Sequence, residues 1–382
     1  MRAPSTISPP ATIGMLGGGQ LGRYALMAAR TMGYTTIVLD PDPLAPAGAI
    51  ADRHLVAGFD DQAAIDDLAA SCTVVTTEFE NPPAASLDRL ASRTRVAPSA
   101  RAVAVAQDRI AEKTFLADLG VPVAPWTILD TGAADALATC LPGIVKTARL
   151  GYDGHGQRRV DTLDDVVAAH RDLGGVACVL ERRLDLILEV SVIVTRSAAG
   201  EVATYPVAEN HHVDGVLDLT VVPARLAPEL ADRAVGLAMT VADGLDYVGV
   251  LAVEMFVVGS ADGPMLLVNE LAPRPHNSGH WTLDGAATDQ FAQQIRAVTG
   301  NGLGSTDSTV GAVAMVNLLG DLWSGGEPDW TVALADPRAH LHLYGKVGAR
   351  PGRKMGHLSV VGDDVGSVEV RARQLRDALR RG

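Results

Sequence analysis

The sequence is poor in cysteine, in positive charge and in long apolar runs. Its 382 residues include only three cysteines, Cys72, Cys140 and Cys178, and their wide separation does not match the spacing of a metal site. Such isolated thiols are typical of a reducing compartment, so we expect a cytoplasmic protein with buried, unpaired cysteines. The net charge of −13 argues against a nucleic-acid partner, because proteins that neutralise phosphates usually carry a basic face.

The chain also lacks a stretch that would place it in a membrane. Its longest apolar run, Val248–Val258, is too short to span a bilayer and is interrupted by Glu254. Residues 1–12 are rich in Pro and Ser and have no apolar stretch of the kind that a signal peptide needs. We therefore expect neither a membrane partner nor a secretion signal.

What the chain does contain is enough apolar sequence for more than one core. Hydrophobic residues make up 47% of the composition and charged residues 20%, as in ordinary globular proteins. A length of 382 residues exceeds what one simple core fills, which predicts two or three domains.

The first unit alternates strands and helices. The apolar segments Ala11–Leu16, Thr35–Leu39 and Val74–Thr77 are typical of buried strands. The Ala-rich segment Leu21–Met32 predicts a helix between the first two of them. This order is typical of a parallel sheet with helices on both faces.

A glycine-rich turn, Gly17–Gly22, joins the first predicted strand to its helix. The glycines fit G-x-G-x-x-G, and Asp40 ends the next strand, where a dinucleotide fold places an acid for the ribose. Such a turn at a helix N-terminus can bind an anion. The glycines can equally serve only a tight connection, so an NAD site and a purely structural turn are both open at this point.

A second unit begins near Ala106 and carries a pattern typical of phosphate binding. Ile110–Leu119 predicts an amphipathic helix, and Gly143–Lys146 predicts a strand that ends in a lysine. The next loop, ARLGYDGHGQ, has glycines that let backbone N–H groups approach an anion, while the lysine supplies a positive charge. The order of these parts differs from a P-loop, so the pattern indicates another nucleotide fold and disfavours a mere surface lysine.

Further strands and a pair of histidines follow. A helix is predicted at Asp164–Leu173, a strand at Ala177–Glu181, and another strand from Glu189 onward. His211 and His212 fall in a segment that is predicted to be a polar loop. Paired histidines in such a loop are more often solvated or hydrogen-bonded than bound to a metal.

Two acidic residues lie in a predicted β-hairpin. Val250–Val258 and Pro264–Leu271 are apolar runs separated by the turn sequence GSADG. Antiparallel pairing then places Glu254 nearly opposite Glu270 and Asn269. Two carboxylates on apolar strands would repel one another, and a shared Mg²⁺ or Mn²⁺ relieves that repulsion with oxygen ligands. The alternative is that one carboxyl has a raised pKa and donates a proton.

The segment Val268–Trp281 is dense in polar functional groups. After the end of an apolar strand it contains an arginine, two histidines and an asparagine, in the sequence VNELAPRPHNSGHW. Folding alone rarely needs such a cluster, which favours a functional site.

The third unit follows Gly300. Gly311–Leu319 and Leu341–Tyr344 are predicted strands, and Tyr344–His357 is predicted to be a basic loop. Because the chain as a whole is negative, this loop is a candidate anion pocket, with a solvated basic loop as the competing interpretation. Its basic residues are Lys346, Arg350, Arg353 and Lys354. Glu369–Arg381 is predicted to be a surface helix.

Five segments carry a resemblance to a known family: GGGQLGR, TTEFENPP, GYDGHGQ, NELAPRPHNSGHW and the loop YGKVGARPGRKMGH. They resemble the ATP-grasp superfamily and, within it, the N5-carboxyaminoimidazole ribonucleotide synthetases of purine biosynthesis. The resemblance implies an α/β fold, α+β overall, with three domains. These are a Rossmann-like domain at 1–105, an ATP-grasp domain at 106–305 with a mobile lid at about 125–185, and a small β-rich domain at 306–382. A homodimer is also implied.

The resemblance implies where ATP binds. Arg109 and Lys146 would contact the phosphates beneath a mobile loop, Gly151–Gln157, and Glu181–Leu184 would contact adenine. His155 departs from the family, which usually has arginine or lysine there, so its contact would be weaker or pH-dependent. The implied nucleotide-binding residues are Arg109, Lys146, Gly151, Tyr152, Asp153, Gly154, His155, Gly156, Gln157, Glu181, Arg182, Arg183, Leu184, Glu189, His212, Asn269 and Glu270.

The resemblance also implies a metal, a second substrate and a reaction. Glu254 and Glu270 would hold Mg²⁺ or Mn²⁺. ATP would phosphorylate bicarbonate to carboxyphosphate, and the amine of 5-aminoimidazole ribonucleotide would take up the carboxyl group. The implied residues for that substrate are Glu78, Tyr152, Asp153, Arg274, Lys346 and Arg353, and those implied to be catalytic are Arg274, Tyr152 and Asp153.

Three alternatives stay open. A formate-dependent glycinamide ribonucleotide transformylase shares the fold and the acid pair, although GYDG and HNSGHW favour the carboxylating enzyme. An NAD(P)-dependent oxidoreductase would use Gly17–Gly22 and Asp40. A non-catalytic nucleotide-binding regulator would bind ATP without turnover.

Overall fold

The N-terminal part of the chain is a parallel α/β layer. The computed structural model describes residues 5–129, 134–151, 154–261 and 263–379. The parallel strands are β1 (Thr12–Leu16), β2 (Thr35–Leu39), β3 (Arg53–Leu55), β4 (Val74–Thr77) and β5 (Arg95–Val96), in the sheet order β3-β2-β1-β4-β5. The helices are α1 (Gln20–Thr31), α2 (Gln62–Ser71), α3 (Ala84–Ala91) and α4 (Ala100–Ala106). The prediction of a Rossmann-like domain is confirmed.

Alternation along β1 explains why helices cover both faces of this sheet. Ile13 and Met15 pack in the cluster that includes Leu26 of α1. Leu16 packs in a different cluster, with Leu68 of α2. Because both sides of the strand are apolar, both faces of the sheet need a cover of helices.

A small antiparallel sheet follows the helix α5 (Arg109–Asp118). Its strands are β6 (Trp126–Ile128), β7 (Gly143–Thr147), β8 (Gln157–Val160) and β9 (Cys178–Arg182), in the order β6-β9-β7-β8. The helices between them are α6 (Ala134–Thr139) and α7 (Leu163–Asp172). This sheet occupies the segment in which the sequence predicts a mobile lid, and the mobility itself stays a prediction.

A large antiparallel sheet forms the centre of the molecule. Its first strands are β10 (Leu186–Arg196), β11 (Val202–Thr204), β12 (Ala208–Val213), β13 (Val216–Val222), β14 (Gly249–Ser260) and β15 (Gly263–Ala272), in the order β15-β14-β10-β12-β13, with β11 beside β10. Its helices are α8 (Pro228–Gly244), α9 (Thr282–Gly285) and α10 (Gln290–Thr299), and a 3-10 helix spans Asn277–Gly279.

The strand β12 corrects one prediction. His211 and His212 lie on this strand and not in a polar loop. The sequence AENHHV does not alternate apolar and polar residues, which is the signal by which strands are recognised. The pairing of β12 with β10 on one side and β13 on the other explains why it is nevertheless extended.

The C-terminal strands continue the same sheet. They are β16 (Ala312–Leu319), β17 (Ala339–Leu343) and β18 (Lys354–Gly362), and they extend the order as β13-β16-β18-β17. A 3-10 helix at Gly320–Trp323 and the helices α11 (Thr331–Leu334) and α12 (Val365–Leu379) complete this part. The predicted basic loop Tyr344–His357 is therefore a loop only up to Arg353, because Lys354 begins β18.

The helix α12 differs from the predicted surface helix in its start and in its burial. It begins at Val365 and not at Glu369. Val368, Ala372 and Leu375 are buried in the apolar cluster that covers β16 and β18. A helix with such an apolar side is part of the core of the C-terminal domain.

The helix α8 packs its apolar side on the large sheet. Ala234, Ala238 and Val241 are fully buried in the cluster that contains residues of β10 and β14. Across the described parts of the chain, no helix is long and apolar enough to cross a membrane.

Candidate active site

A cleft of about 810 Å³, here called the central cleft, opens where the three parts of the chain meet. The predicted site residues on its walls are Glu78, Arg109, Gly151, His155, His212, Glu254, Glu270, Arg274, Lys346 and Arg353. Other predicted residues in the described ranges do not line it: Lys146, Gly154, Gly156, Gln157, Glu181, Arg182, Arg183, Leu184, Glu189 and Asn269. Tyr152 and Asp153 lie outside the described residues.

At the glycine turn, a carboxylate of the chain itself occupies the anion site. The backbone N–H of Gly19 donates to Glu78 Oε1 over 2.8 Å, and that of Gly22 donates to Glu78 Oε2 over 3.1 Å. Burial raises the pKa of Glu78, and these two hydrogen bonds oppose that rise because they favour the carboxylate. The backbone N–H groups at the N-terminus of α1 are thus already occupied by a carboxyl group of the chain.

Asp40 also contacts the turn and is not oriented towards a ribose. Its Oδ2 accepts the backbone N–H of Gly18 over 2.6 Å. Gly17 has φ of +95°, a conformation that favours glycine. A Cβ at Gly18 would lie only 2.6 Å from Cβ of Ala45, so this position has no room for a side chain. The glycine pattern is explained by these contacts, and the dinucleotide interpretation is not supported.

The hairpin of β14 and β15 has the register that the sequence predicts. Glu254 is paired with Glu270, and the next pair is Met255 with Val268. Asn269 is therefore the extra residue of a β-bulge, which breaks the alternation of side chains at this point of the strand.

The electrostatics of the hairpin fit a cation. Burial and the neighbouring charge of Glu270 raise the pKa of Glu254 to about 8. Among the described residues, the buried oxygen Oδ1 of Asn269 has no hydrogen-bond partner. Two carboxylates and an amide oxygen are the hard ligands that Mg²⁺ prefers. The residues present thus fit a divalent metal, although Arg109 Nη1 lies 3.3 Å from Glu270 Oε2.

His276, which the sequence marks without giving it a role, lies beside Glu254. Its Nε2 is 3.3 Å from Glu254 Oε1. Its Nδ1 accepts the backbone N–H of Ser278 over 3.3 Å and lies 2.9 Å from the Ser278 hydroxyl. Because a backbone N–H can only donate, the proton of the neutral ring is on Nε2 and is directed at Glu254.

A buried chain of hydroxyls and an amide supports this tautomer. Asn210 Nδ2 donates to Ser191 Oγ over 2.9 Å, and Ser191 Oγ lies 2.8 Å from Ser278 Oγ. In the direction that matches this tautomer, the Ser191 hydroxyl donates to Ser278 Oγ, and the Ser278 hydroxyl donates to His276 Nδ1. Burial, followed by the charge of Arg274, lowers the pKa of His276 well below its ordinary value, which favours the neutral ring.

Lys146 has a carboxylate partner inside the protein. Its Nζ donates to Glu181 Oε2 over 3.0 Å, and Lys113 Nζ lies 3.4 Å from the same oxygen. Burial would raise the pKa of Glu181, but these lysines outweigh it and lower the pKa to about 2. The side chain of Glu181 is therefore paired with the two lysines, and a contact of this residue with adenine stays a prediction.

The next predicted adenine contacts have side chains at the surface. Arg182 contacts the backbone oxygen of Thr139, and Arg183 Nη2 lies 3.1 Å from Asp161 Oδ1. Leu184 follows in the connection to β10. An adenine site at these residues stays a prediction.

The glycine loop leads from β7 to β8. Gly151 and His155 face the central cleft, whereas Gln157 begins β8 opposite Lys146. Gly156 has φ of +74°, and a Cβ there would lie 2.6 Å from Thr147 Oγ1, so the loop conformation requires glycine at this position.

Glu189 and His212 form a pair on neighbouring strands. His212 Nδ1 lies 2.7 Å from Glu189 Oε2. Burial lowers the pKa of His212, but Glu189, Glu254 and Glu270 together outweigh burial and raise it above its ordinary value. The neighbouring carboxylates thus favour the protonated form of His212.

Arg274 connects two of the predicted motifs. Its guanidinium forms an ion pair with Glu80, and Nη1 donates to the backbone oxygen of Pro275 over 2.9 Å. Glu80 is not among the site residues predicted from the sequence, and its only signal there is its place in the segment EFENPP. The pair joins the N-terminal domain to the strand end after β15.

The predicted basic loop brings further cations to the cleft. Lys346 Nζ donates to the backbone oxygen of Lys354 over 2.8 Å and lies 5.5 Å from the ring centre of Tyr344. Arg353 Nη1 donates to the backbone oxygen of Gly348 over 2.9 Å. Both residues line the same cleft as Arg274, and this set of positive side chains can hold an anion.

A second cluster, Asp284 with His342 and His357, has ligand types that suit a metal but an unsuitable ring geometry. The rings of His342 and His357 are stacked, with centres 4.3 Å apart and planes 11° from parallel. Imidazole binds a metal at about 2.0 Å in the plane of the ring, so two stacked rings cannot share one ion in this arrangement. His342 Nε2 instead lies 3.0 Å from Asp284 Oδ2.

Three family models match along the chain. A ribonucleotide synthetase preATP-grasp domain matches residues 10–107, and an ATP-grasp domain matches residues 114–291. A phosphoribosylaminoimidazole carboxylase C-terminal domain matches residues 313–371. The order of these matches agrees with the three parts of the fold.

Similar proteins span nearly the whole chain. N5-carboxyaminoimidazole ribonucleotide synthase of Brucella melitensis is 44% identical over 360 residues, which cover 93% of this chain and 97% of that protein. The protein of the same name from Bacillus subtilis is 42% identical over 358 residues, with 92% of each chain covered.

Solved structures agree with the sequence relatives. The ADP complex of an N5-carboxyaminoimidazole ribonucleotide synthetase has a TM-score of 0.90 at 41% identity and covers 97% of each chain. An Aspergillus clavatus N5-carboxyaminoimidazole synthase in complex with ADP and 5-aminoimidazole ribonucleotide has a TM-score of 0.86 at 30% identity, with 97% of this chain and 99% of that chain covered. The chain therefore belongs to the N5-carboxyaminoimidazole ribonucleotide synthase family of ATP-grasp enzymes.

Proposed function

We propose that the chain is an ATP-dependent ligase that carboxylates 5-aminoimidazole ribonucleotide with bicarbonate. The products are N5-carboxyaminoimidazole ribonucleotide, ADP and phosphate, a step of purine biosynthesis. The observation that carries this proposal is the convergence of the acid pair Glu254 and Glu270 with Arg274 and Lys346 in one cleft. A relative from Aspergillus clavatus binds ADP and 5-aminoimidazole ribonucleotide.

In the first step, bicarbonate attacks the γ-phosphorus of ATP, which forms carboxyphosphate and releases ADP. Arg109 and Lys146 neutralise the phosphates, and phosphoryl transfer needs chiefly this positioning and charge neutralisation. When bound by Glu254, Glu270 and Asn269, a magnesium ion would supply further positive charge next to the transferred group. His276 holds Glu254 in place through its Nε2 proton.

In the second step, the exocyclic amine of the substrate takes up the carboxyl group and phosphate leaves. Arg274 is proposed to hold carboxyphosphate, which requires its guanidinium to exchange Glu80 for the new anion. Lys346 and Arg353 are proposed to bind the ribonucleotide phosphate in the same cleft. The glycine loop that includes Gly151 would close over the nucleotide and exclude the water that hydrolyses carboxyphosphate.

The remaining features of the proposal concern the state of the protein. We propose domain boundaries at 1–105, 106–305 and 306–382, a homodimer, and a cytoplasmic location. The location is supported by three buried cysteines without disulfides, which are typical of a reducing compartment.

The test is the substrate dependence of ADP release. ADP should form at an appreciable rate only when bicarbonate and 5-aminoimidazole ribonucleotide are both present, and isotope from labelled bicarbonate should enter the product. Turnover with glycinamide ribonucleotide and formate would instead favour the transformylase. ATP binding without bicarbonate-dependent turnover would favour a regulator, and NAD(P)H binding would revive the oxidoreductase.

A further inference from the structure

Two of the proposed metal-binding residues, Asn269 and Glu270, lie on an edge strand. β15 is the first strand in the order of the large sheet, so only β14 pairs with it along its length. The bulge at Asn269 further disrupts the ladder between these strands. The backbone groups on the outer side of β15 therefore need partners from outside the sheet.

Two side chains of α5 supply these partners on both sides of Glu270. The backbone N–H of Leu271 donates to Glu112 Oε1 over 2.7 Å. The ammonium group of Lys113 donates to the backbone oxygen of Asn269 over 2.9 Å. The peptide groups before and after the proposed metal ligand are thus each held by a side chain of the same helix.

The burial of these two residues separates them from ordinary edge protection. Glu112 has 2% of its surface exposed and Lys113 has 0%. Burying a carboxyl group and an ammonium group carries a large desolvation penalty, and for Glu112 burial raises the pKa to about 8. A backbone carbonyl provides the same type of partner without that penalty. The backbone oxygen of Pro122, for example, accepts the N–H of Val268 over 2.7 Å. Edge protection alone therefore does not account for charged residues here.

The start of α5 also contacts the site directly. Arg109, the first residue of the helix, lies 3.3 Å from the carboxylate of Glu270. Asp108 caps the helix by accepting the backbone N–H groups of Ile110 and Ala111, which fixes the first turn. The helix therefore reaches the side chain of Glu270 with one residue and its flanking backbone with the next turn.

We propose that Glu112 and Lys113 are positioning residues that hold the bulge of β15 so that the oxygens of Asn269 and Glu270 face the metal together. The inference rests on the proposed function, because it presumes that the acid pair binds a divalent ion. Lys113 also lies 3.4 Å from Glu181, the partner of Lys146. The same ammonium group thus connects the metal-binding strand with the strand that orients the phosphate-binding lysine.

The experiment measures Mn²⁺ affinity in the presence of ADP by electron paramagnetic resonance of free Mn²⁺, which does not depend on turnover. In Glu112→Met, the N–H of Leu271 loses its acceptor, and we expect Mn²⁺ to bind about tenfold more weakly, as is usual for residues that support metal ligands. Glu112→Gln keeps an acceptor oxygen of the same shape and should restore binding to within about twofold. Lys113→Met is the second variant, and it should also weaken binding.

Leu116→Ala is the matched control on the same helix. Leu116 is fully buried in the main apolar cluster, and its side chain has no polar group to hold either peptide group of Glu270, so its truncation should lower the unfolding temperature and leave Mn²⁺ affinity unchanged. A folded Glu112→Met or Lys113→Met protein with the affinity of the original chain would overturn the inference. So would an equal loss of affinity in Leu116→Ala, because the effect would then follow stability alone.

If the original chain and Glu270→Gln both fail to bind Mn²⁺ with ADP, the proposed metal site fails and this inference fails with it. If Glu270→Gln loses Mn²⁺ binding while the Glu112 and Lys113 variants keep the affinity of the original chain, the metal site stands and only the positioning role is wrong.

Discussion

The glycine turn Gly17–Gly22 and the hairpin of β14 and β15 are two places where the sequence predicts ligand binding, and they differ in how their charges are paired. At the turn, Glu78 and Asp40 accept the backbone N–H groups that an anion would need. At the hairpin, Glu254 and Glu270 lie side by side, and the pKa of Glu254 is raised to about 8 by burial and by Glu270. The chain supplies the complementary group at the first place, whereas at the hairpin the repulsion between the two acids persists although Arg109 lies 3.3 Å from Glu270.

This difference shows what decides whether a binding motif binds. The G-x-G-x-x-G pattern fixes a backbone shape, but a carboxylate from β4 can fill that shape as well as a phosphate can. Two acids on one face of a hairpin create a repulsion that a cation relieves. Sequence patterns therefore identify candidate sites. The pairing of charges in the fold then shows which of them are already filled by groups of the chain and which can bind a ligand.

The largest expected effect comes from removing one acid of the hairpin. Glu270→Gln keeps the shape of the side chain but removes a negative metal ligand, so we expect turnover to fall at least about a thousandfold with an unchanged fold. The measurement is bicarbonate-dependent ADP release, with circular dichroism to check folding. Glu209→Gln, on the same sheet but outside the central cleft, is the control and should stay active. Near-normal turnover of Glu270→Gln at ordinary Mg²⁺ would remove the metal assignment.

Removing the carboxyl group of Glu78 from the glycine turn should lower the stability of the N-terminal domain and should not create a dinucleotide site. In Glu78→Ala, the buried N–H groups of Gly19 and Gly22 lose their acceptor, which should cost about 2–4 kcal/mol in the stability of the N-terminal domain. Denaturant unfolding measures this loss, and Glu78→Gln should lose less because one acceptor oxygen remains. NAD(P)H fluorescence should show no binding to either variant. Binding to Glu78→Ala would mean that the turn is a dinucleotide site after all.

The ion pairs of Glu181 give a pH-dependent effect. The pKa of Glu181 falls from an ordinary 4.5 to about 2 in the folded protein, so its contribution to stability is complete above about pH 4.5 and is lost as the pH falls towards 2. Glu181→Gln cannot titrate, so the original chain should unfold at a temperature about 5 °C higher than the variant at pH 6, and this gap should narrow below pH 4.5. Thermal unfolding at several pH values is the measurement. A gap that is constant down to pH 3 would contradict the charge pairing.

The smallest effect is expected at His155. Its side chain lines the cleft in a position where the family usually has arginine or lysine. His155→Arg should keep turnover within about threefold and lower the KM for ATP slightly, because a permanent charge strengthens the contact with phosphate. Steady-state kinetics at two pH values would measure this. A large loss of turnover would mean that the histidine has a role of its own.

The hairpin could be predicted from the sequence because its parts are local. The turn GSADG and the apolar runs on either side of it fix the pairing of Glu254 with Glu270, and the bulge at Asn269 is the feature that counting residues from the turn does not predict. The glycine loop near Lys146 could be located for the same reason. In each case the signal lies within a few residues of the site.

Features that depend on distant partners could not be predicted. Glu78 contacts Gly19 across 59 positions of sequence, and Lys113 contacts Asn269 across 156. Glu112 and Lys113 did leave a weak signal, since they share a helix side with Leu116, where apolar residues would be expected. The strand β12 could not be predicted because its sequence, AENHHV, lacks the alternation of apolar and polar residues. The burial of α12 was missed because its apolar residues are separated by arginines.

The continuity of the large sheet across β13 and β16 has a consequence for how the protein can be divided. A fragment ending near residue 305 would expose the hydrogen-bonding edge of β13 that β16 covers along Leu219–Val222. Such a bare edge pairs readily with other chains. The C-terminal part after residue 305 thus shares one continuous sheet with the ATP-grasp part, and a fragment without it should aggregate when expressed alone. Gene fusions that involve this enzyme should therefore preserve this junction and place their linkers beyond α12.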